Sequence, residues 1–386
     1  MKKSFFILAA IALFAASCTK TEVVSNDSQV SQRGIGFSAY TAKPTKAAQT
    51  DVTTDNFNSF KVTAIGNSAI YFDNVTFTKG TSVWVSETKY FWPAFPLTFC
   101  AYNTPTAYDT SAQKTGFART INTETQTLEV TPASELAYQE DLVAAYAAGK
   151  KESDATNTGN SLSLTFNHYL TQVVVKAKCS NSNYIVVVDR VKLANMAGHG
   201  TYTFSTNTMT APDGIKNNDY SIDYTANFTA KTLTSDAQEV MTDAGTGKWY
   251  LIPQSVTPWK RVPTESAESA TNEMKNTSHG TYLALKVKIT SAGGSKVYPY
   301  SGDESAWMAV PVPEQLSFAQ GKKYNVTFDF FSSTGNGAGY VDPEQPGELD
   351  GNSSTSDAGK SIVGGAIKFD ATVSEWGDAV DVVISL

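Results

Sequence analysis

Apolar residues recur at every second position in several segments of this chain, and that period constrains the fold more than any other feature. Leu162, Leu164 and Phe166 alternate with Ser161, Ser163, Thr165 and Asn167. Leu283, Leu285, Val287 and Ile289 alternate with Ala284, Lys286 and Lys288, and Tyr324, Val326, Phe328 and Phe330 continue the pattern. In a β-strand successive side chains point to opposite faces, so each segment reads as a strand with one buried and one wet face. One-faced burial favours antiparallel sandwiches over a parallel α/β sheet. Clusters of Gly, Asn, Asp and Ser punctuate the segments as turns do. The runs Val173-Val174-Val175 and Ile185-Val186-Val187-Val188 are continuously β-branched, the pattern of strands covered on both faces or placed at a domain junction. Residues 133–148 make the best helix candidate, with weak periodicity.

The two ends carry separate signals. Met1-Lys2-Lys3 leads into an apolar run from Phe5 to Ala16, too short for a permanent membrane span, and small residues Ala15-Ala16-Ser17 precede Cys18. This is the layout of a lipoprotein signal peptide over 1–17, with Cys18 the residue to be acylated and residues 18–33 a tether. An ordinary signal peptide with a chance cysteine is the alternative. At the other end, Val380, Val382, Ile384 and Leu386 alternate to the last residue, behind a stretch at 332–365 that is rich in Gly, Ser, Asp and Pro and has no apolar period. A terminal strand on such a leash can fold back on its own domain or pair with an open sheet edge of a neighbour; both readings stand. A composition break near Gln172 divides the chain into an N-terminal β-sandwich domain at 34–172 and a C-terminal one at 173–386, the latter including the 332–365 loop and the terminal strands.

Composition narrows the function. Without Lys2 and Lys3, the 30 basic residues become 28 against 37 acidic ones, a net charge of −9 that does not attract nucleic acid. The histidines His168, His199 and His279 are far apart and no cysteine pair lies close by, so no metal site or cofactor is expected. Cys100 and Cys179 read as two buried free thiols, with a disulfide as the alternative. A Gly-flanked serine elbow, a zinc-type His-Glu-x-x-His and a phosphate-cradling glycine loop are all absent, and no catalytic residue is assigned. His168, at the end of its strand beside Tyr169, reads as a core histidine. The six tryptophans, Trp84, Trp92, Trp249, Trp259, Trp307 and Trp376, can stack on sugar rings, though packing is the stronger reading for each.

Several short segments, in this order and spacing, support a resemblance. After the lipobox come Ile35-Gly36-Phe37-Ser38-Ala39-Tyr40, Pro44-Thr45-Lys46-Ala47-Ala48 and Phe60-Lys61-Val62-Thr63-Ala64. Tyr90-Phe91-Trp92-Pro93, Leu97-Thr98-Phe99-Cys100-Ala101-Tyr102, Leu164-Thr165-Phe166-Asn167-His168-Tyr169-Leu170, Tyr250-Leu251-Ile252-Pro253-Gln254, Leu316-Ser317-Phe318 and Gly321-Lys322-Lys323-Tyr324 follow. The chain thereby resembles the fimbrillin family, the lipoprotein-derived subunits of type V pili and their Mfa-like relatives. The resemblance implies an all-β fold of two transthyretin-like antiparallel β-sandwich domains, and delivery to the outer membrane and cell surface as a lipoprotein. It implies a structural or adhesive role with other pilus subunits as partners, in a homo- or hetero-polymer, and a host or bacterial receptor or glycan beyond them. In subunits that polymerise, a trypsin-like protease removes the first strand and a neighbour's strand fills the groove. Carried onto this chain, the removed strand is 34–41 and the processing positions are Lys46 and Lys43, with Lys46 better placed; Val380, Val382, Ile384 and Leu386 are the candidate donor strand. An arginine is usual at the cut, and Arg33, the arginine nearby, precedes the strand. A monomeric surface lipoprotein that binds glycans through an aromatic patch is the second reading.

Overall fold

The computed structural model describes residues 33–376 and 382–384, apart from 42–50, 53–55, 82, 104–107, 110–113, 116–120, 123, 212–220, 245–246, 261–279, 301–303, 315, 335–338, 345–357 and 364–366. Among the described residues there is no α-helix, only strands and three short 3-10 turns, and no helix long and apolar enough to cross a membrane.

Period-two segments become strands that close on themselves in the first half. Around the ring run Phe37–Thr41, Leu162–His168, Val143–Lys150, Leu97–Asn103, Ser59–Gly66, Ala69–Lys79 and Trp84–Val85, the last returning to Phe37. Neighbours are antiparallel except the first pair, where Phe37–Thr41 runs parallel to Leu162–His168. The two faces expected of a sandwich are thus joined at both edges into a barrel. Its interior is rich in aromatic rings: Phe37, Phe60, Phe72, Phe77, Phe99, Phe166, Trp84 and Trp92 are all buried in one cluster. On Leu162–His168 the leucines and Phe166 point in while Ser163 and Thr165 face water, as the alternation predicts.

The second half is a sandwich of two six-stranded sheets. One is ordered Gln238–Glu239, Thr171–Cys179, Lys322–Phe330, Lys368–Glu375, Val382–Ile384, with Trp249–Leu251 also on Thr171–Cys179. The other is ordered Ser221–Thr232, Tyr184–Ala197, Tyr282–Ser291, Ala306–Pro311, Tyr340–Val341, with Lys296–Tyr298 on Tyr282–Ser291. Between them lies a core of Val, Leu, Ile and Met with a few rings, in which the predicted inward residues Leu283, Leu285, Val287, Ile289, Tyr324, Val326, Phe328 and Phe330 all take part. Thr171–Cys179 and Lys322–Phe330 are parallel, the second departure from an antiparallel pattern.

Three expectations are revised. Residues 133–148 hold a 3-10 turn at Leu136–Tyr138 and the strand Val143–Lys150, because their alanines at alternate positions pack into the barrel and into the junction beneath it. The run at 185–188 is one-faced, with Val186 and Val188 in the core and Ile185 exposed, so its outward β-branched residues serve strand propensity rather than burial. Within 332–365, Tyr340–Val341 adds to the edge of Ala306–Pro311, and Val341 and Ile362 join the core.

A small sheet ordered Thr208–Thr210, Gly200–Thr203, Thr127–Val130, Ile121–Asn122 straddles the composition break near Gln172. Its Leu128, Val130, Tyr202 and Met209 pack with Cys100, Tyr102, Tyr169, Tyr250, Ile252 and Trp376 in a cluster drawn from both halves. Cys100 lies there and Cys179 in the sandwich core; both are free and buried.

Candidate functional site

The first strand occupies a slot. On one side five residues pair with Leu162–His168, from Phe37 opposite Leu162 to Thr41 opposite Phe166. On the other side the contacts are sparser: Phe37 opposite Trp84, the bridge between Gly34 and Phe91, and the Ile35 amide donating to the Tyr90 carbonyl at 2.7 Å. Ile35, Phe37 and Ala39 point inward and are buried, and Phe37 packs edge-on against Phe77 and Phe99 at ring distances of 4.8 and 5.3 Å. Tyr40 points out, 51% exposed. The Ser38 and Ser161 hydroxyls bond on the laddered side, and Arg33 pairs with Glu152 at 3.1 Å. Burying Ile35 and Phe37 contributes about 3 to 6 kcal/mol, gross of ordering entropy.

Lys43 and Lys46 lie outside the described residues, in the connection that follows. Where the chain reappears it is clasped. The Asp51 carboxylate, buried at the junction, takes Lys248 at 2.8 Å, the Gln172 side-chain amide at 2.8 Å and the Tyr250 hydroxyl at 2.6 Å, all through Oδ1. The Val52 amide donates to Asp141 Oδ2 at 2.9 Å. Asp141 also pairs with His168 Nδ1 at 2.9 Å, and the His168 ring stacks on Trp376 at 4.4 Å. His168 is thus a buried core histidine. The connection containing Lys43 and Lys46 is anchored at both ends, by a strand before it and a buried ion pair after it.

At the far terminus Val382–Ile384 pairs antiparallel with residues 371–373 and forms the edge of its sheet. Val380 and Leu386 lie outside the described residues, as does Cys18. Val382–Ile384 therefore lies at the edge of a different sheet from the one that holds the first-strand slot.

All six tryptophans are buried, none more than 8% exposed. Among the described residues no group of three His, Cys, Asp or Glu side chains is placed to hold a metal. Asp51, Asp141, Lys248 and Gln172 are not legible as a site in the sequence, because isolated charged and amide residues in a polar chain read as solvated surface. A second charged group, buried Lys192 and Asp342 with the exposed Glu344 beside them, lies on the outer face of the other sheet.

The family profile described as fimbrillin-like matches residues 45–339. Among solved structures, a fimbrial protein from Bacteroides vulgatus aligns with a TM-score of 0.50 and 14% identity over 89% of this chain and 99% of its own. A fimbrilin from Porphyromonas gingivalis aligns at a TM-score of 0.43 and 11% identity, covering 89% of this chain and 97% of that one. No curated protein sequence matches. With a profile spanning most of the barrel and most of the sandwich, the chain belongs to the fimbrillin-like family, whose members are structural and non-enzymatic.

Proposed function

We propose that this chain is a fimbrial subunit or pilus-associated adhesin of the cell surface, lipid-anchored through Cys18 in the outer membrane and assembled by β-strand addition. Family membership supports the fimbrial and adhesive role. The observation that carries the assembly step is the first-strand slot: one five-residue ladder and one sparse seam hold a strand whose inward side chains fill an aromatic core. Cleavage at Lys46 or Lys43 severs that strand from the chain, while the Asp51 clasp keeps the downstream segment seated. An emptied slot exposes unpaired backbone on Leu162–His168 and a ring-lined groove, which an extended strand with alternate apolar residues fits. The residues from Val380 to Leu386 have that pattern, and as an edge strand Val382–Ile384 is held, among the described residues, by one neighbour. A tryptophan platform for glycans finds no support, since every tryptophan is packed inside.

The test is native digestion of the purified mature protein with a trypsin-like protease, with mass spectrometry of the cut and imaging of the product. Clipping at Lys43 or Lys46, release of the 34–41 strand and growth of fibres that a chain lacking 380–386 does not form is the expected result. A chain that resists in that connection, or that is clipped and stays monomeric, overturns strand exchange.

A further inference from the structure

Lys192 lies in a row set by register. It sits opposite Ala284, Ala284 opposite Ala309, and Ala309 opposite Tyr340. The two alanines leave a shallow floor across the middle of the sheet, over which a long lysine side chain can reach toward the far edge, where Asp342 follows the strand Tyr340–Val341. The Lys192 side chain is 2% exposed and that of Asp342 0%, with Nζ 3.1 Å from Oδ2. Nζ lies 5.1 Å from the Tyr282 ring centre and 5.5 Å from that of Trp307. Trp259, packed 5.5 Å from Tyr282, closes the wall. It approaches so closely there that a Cβ on Gly280 would stand 2.2 Å from the Trp259 Cα.

The polar atoms around this pair are arranged with two sides. Asp342 Oδ1 accepts from the Tyr282 hydroxyl at 3.1 Å and from the Glu344 backbone N–H at 2.8 Å. Oδ2 faces the lysine. Glu344 Oε2 lies 3.4 Å from Nζ, and its Oε1 accepts from the Asn195 side-chain amide at 3.1 Å. Asn195 stands at φ 60° in a bulge of its strand and donates from its side chain to the Gly280 carbonyl and from its backbone to Asp223. Burial works against charge on Lys192, while Asp342, Glu344 and Asp223 hold its proton on and win, so its pKa is raised. Burial, then Asp342, lifts the Tyr282 phenol far above its usual range, so it stays a donor. A dry ion pair carries a desolvation cost that an amide of the same atoms does not.

From this geometry we propose that Lys192 and Asp342 condense to an intramolecular isopeptide bond, with Glu344 carrying the proton. The Lys192 ammonium passes one proton to the Glu344 carboxylate and becomes an amine. Glu344 relays that proton to Asp342 Oδ2, so the lone pair attacks the carbon of a neutral carboxylic acid, and charge that develops on Oδ1 is met by the Tyr282 hydroxyl and the Glu344 N–H, donors fixed before the reaction begins. The new C–N bond replaces the bond to Oδ2, which leaves as water with two of the three ammonium protons, one of them delivered by Glu344. Ammonium plus carboxylate becomes amide plus water; nothing is oxidised or reduced, and Glu344 ends as it began. The reaction happens once per chain and gives no turnover. The bond ties Tyr184–Ala197 to the segment beyond the fifth strand, across three strand pairings that otherwise rest on hydrogen bonds. It does not depend on fibre assembly.

The experiment is peptide mass spectrometry of the full chain after denaturation and digestion, with acetylation of accessible lysines before the digest. A linked peptide pair containing Lys192 and Asp342, lighter than the two together by one water, and a Lys192 that resists acetylation are expected. Lys192→Arg keeps the charge and yields two unlinked peptides. Asp342→Asn yields the same linked product by losing ammonia. Glu344→Gln keeps both reacting groups and leaves most chains unlinked when analysed soon after purification. Separate peptides from the unaltered chain, with Lys192 fully acetylated, overturn the bond; Glu344→Gln chains that link as completely and as fast as the unaltered ones overturn the proton-carrying role.

Discussion

The first and last strands among the described residues are both short, and they are held in unlike ways. Phe37–Thr41 is enclosed, with a neighbour on each side and Phe37 among eight other buried aromatic residues of the barrel. Among the described residues Val382–Ile384 has one neighbour and lies at a sheet edge. A strand enclosed on both sides leaves a defined vacancy when it is lost, whereas an edge strand leaves its sheet one strand narrower. The difference teaches which end can become a slot and which an insert. It also shows why the Asp51 clasp stands where it does, directly after the connection to the enclosed strand.

The largest expected effect comes from emptying the slot. A chain beginning at residue 42 should lose hydrogen-exchange protection in Leu162–His168 and Val143–Lys150 while Lys322–Phe330 stays protected, and a peptide of residues 34–41 added in excess should restore it. Phe37→Ala gives the graded version, a loss of about 3 to 5 kcal/mol in denaturant unfolding, the usual range for deleting a buried ring. Barrel amides that stay slow without the strand would mean that the enclosed and edge strands do not differ in kind.

Removing the clasp comes next. Asp51→Ala leaves the Lys248 ammonium buried beside Gln172 and Tyr250, and breaking such a pair from one side costs about 3 kcal/mol or more. Replacing both partners, Asp51→Leu with Lys248→Met, should recover most of that loss, because two apolar side chains need no solvation. A double variant as unstable as the single one would show that the clasp's value lies in its hydrogen bonds to Gln172 and Tyr250 instead.

Cys100, in the junction under the barrel, gives a pH-dependent measure of the same half. Burial raises its thiol from 9.0 to about 12. The folded state therefore keeps its proton where the unfolded state has lost it, so the stability is intact below about pH 9 and falls as pH rises through the interval up to about 12. The slope is at most about 1.4 kcal/mol per pH unit. Buried tyrosines such as Tyr202 and Tyr224 add the same sign from a higher start, so the contrast between the unaltered chain and Cys100→Ala is read between pH 9 and 10, where urea midpoints should fall more steeply with Cys100 present.

What was legible in the sequence was whatever a period of two can carry. Leu162 to Phe166 and Leu283 to Ile289 announce both strand and face, because a half-buried strand needs no partner to declare its inward side. Closure into a barrel was not legible: it depends on Phe37–Thr41 running parallel to a strand more than a hundred residues away, and pairing direction leaves no mark on a five-residue segment. Residues 133–148 read toward helix, yet their alanines, whose small side chains suit a crowded interface as well as a helix, lie in part on the strand Val143–Lys150. The charged clusters were hidden for a different reason. Lys192 and Asp342 are ordinary surface types, and only the register that lines up Ala284 and Ala309 between them makes the lysine's burial possible.

The smallest effect on stability should come from the last strand, and it separates folding from assembly most cleanly. Ending the chain at residue 381 removes a three-residue ladder at a sheet edge, so unfolding of the monomer should shift by about 1 kcal/mol, the worth of one or two net hydrogen bonds. Under strand exchange the same truncation removes the insert, and protease-treated protein should form no fibres although its slot opens as before. A mixture then sharpens the point. Truncated chains still offer an open slot, so they should cap growing fibres of the full chain at one end and shorten them in proportion to their share. Fibres of undiminished length and number from truncated chains alone would show that the strand filling the slot comes from elsewhere in the sequence, and the contrast between the two ends would then describe stability without describing assembly.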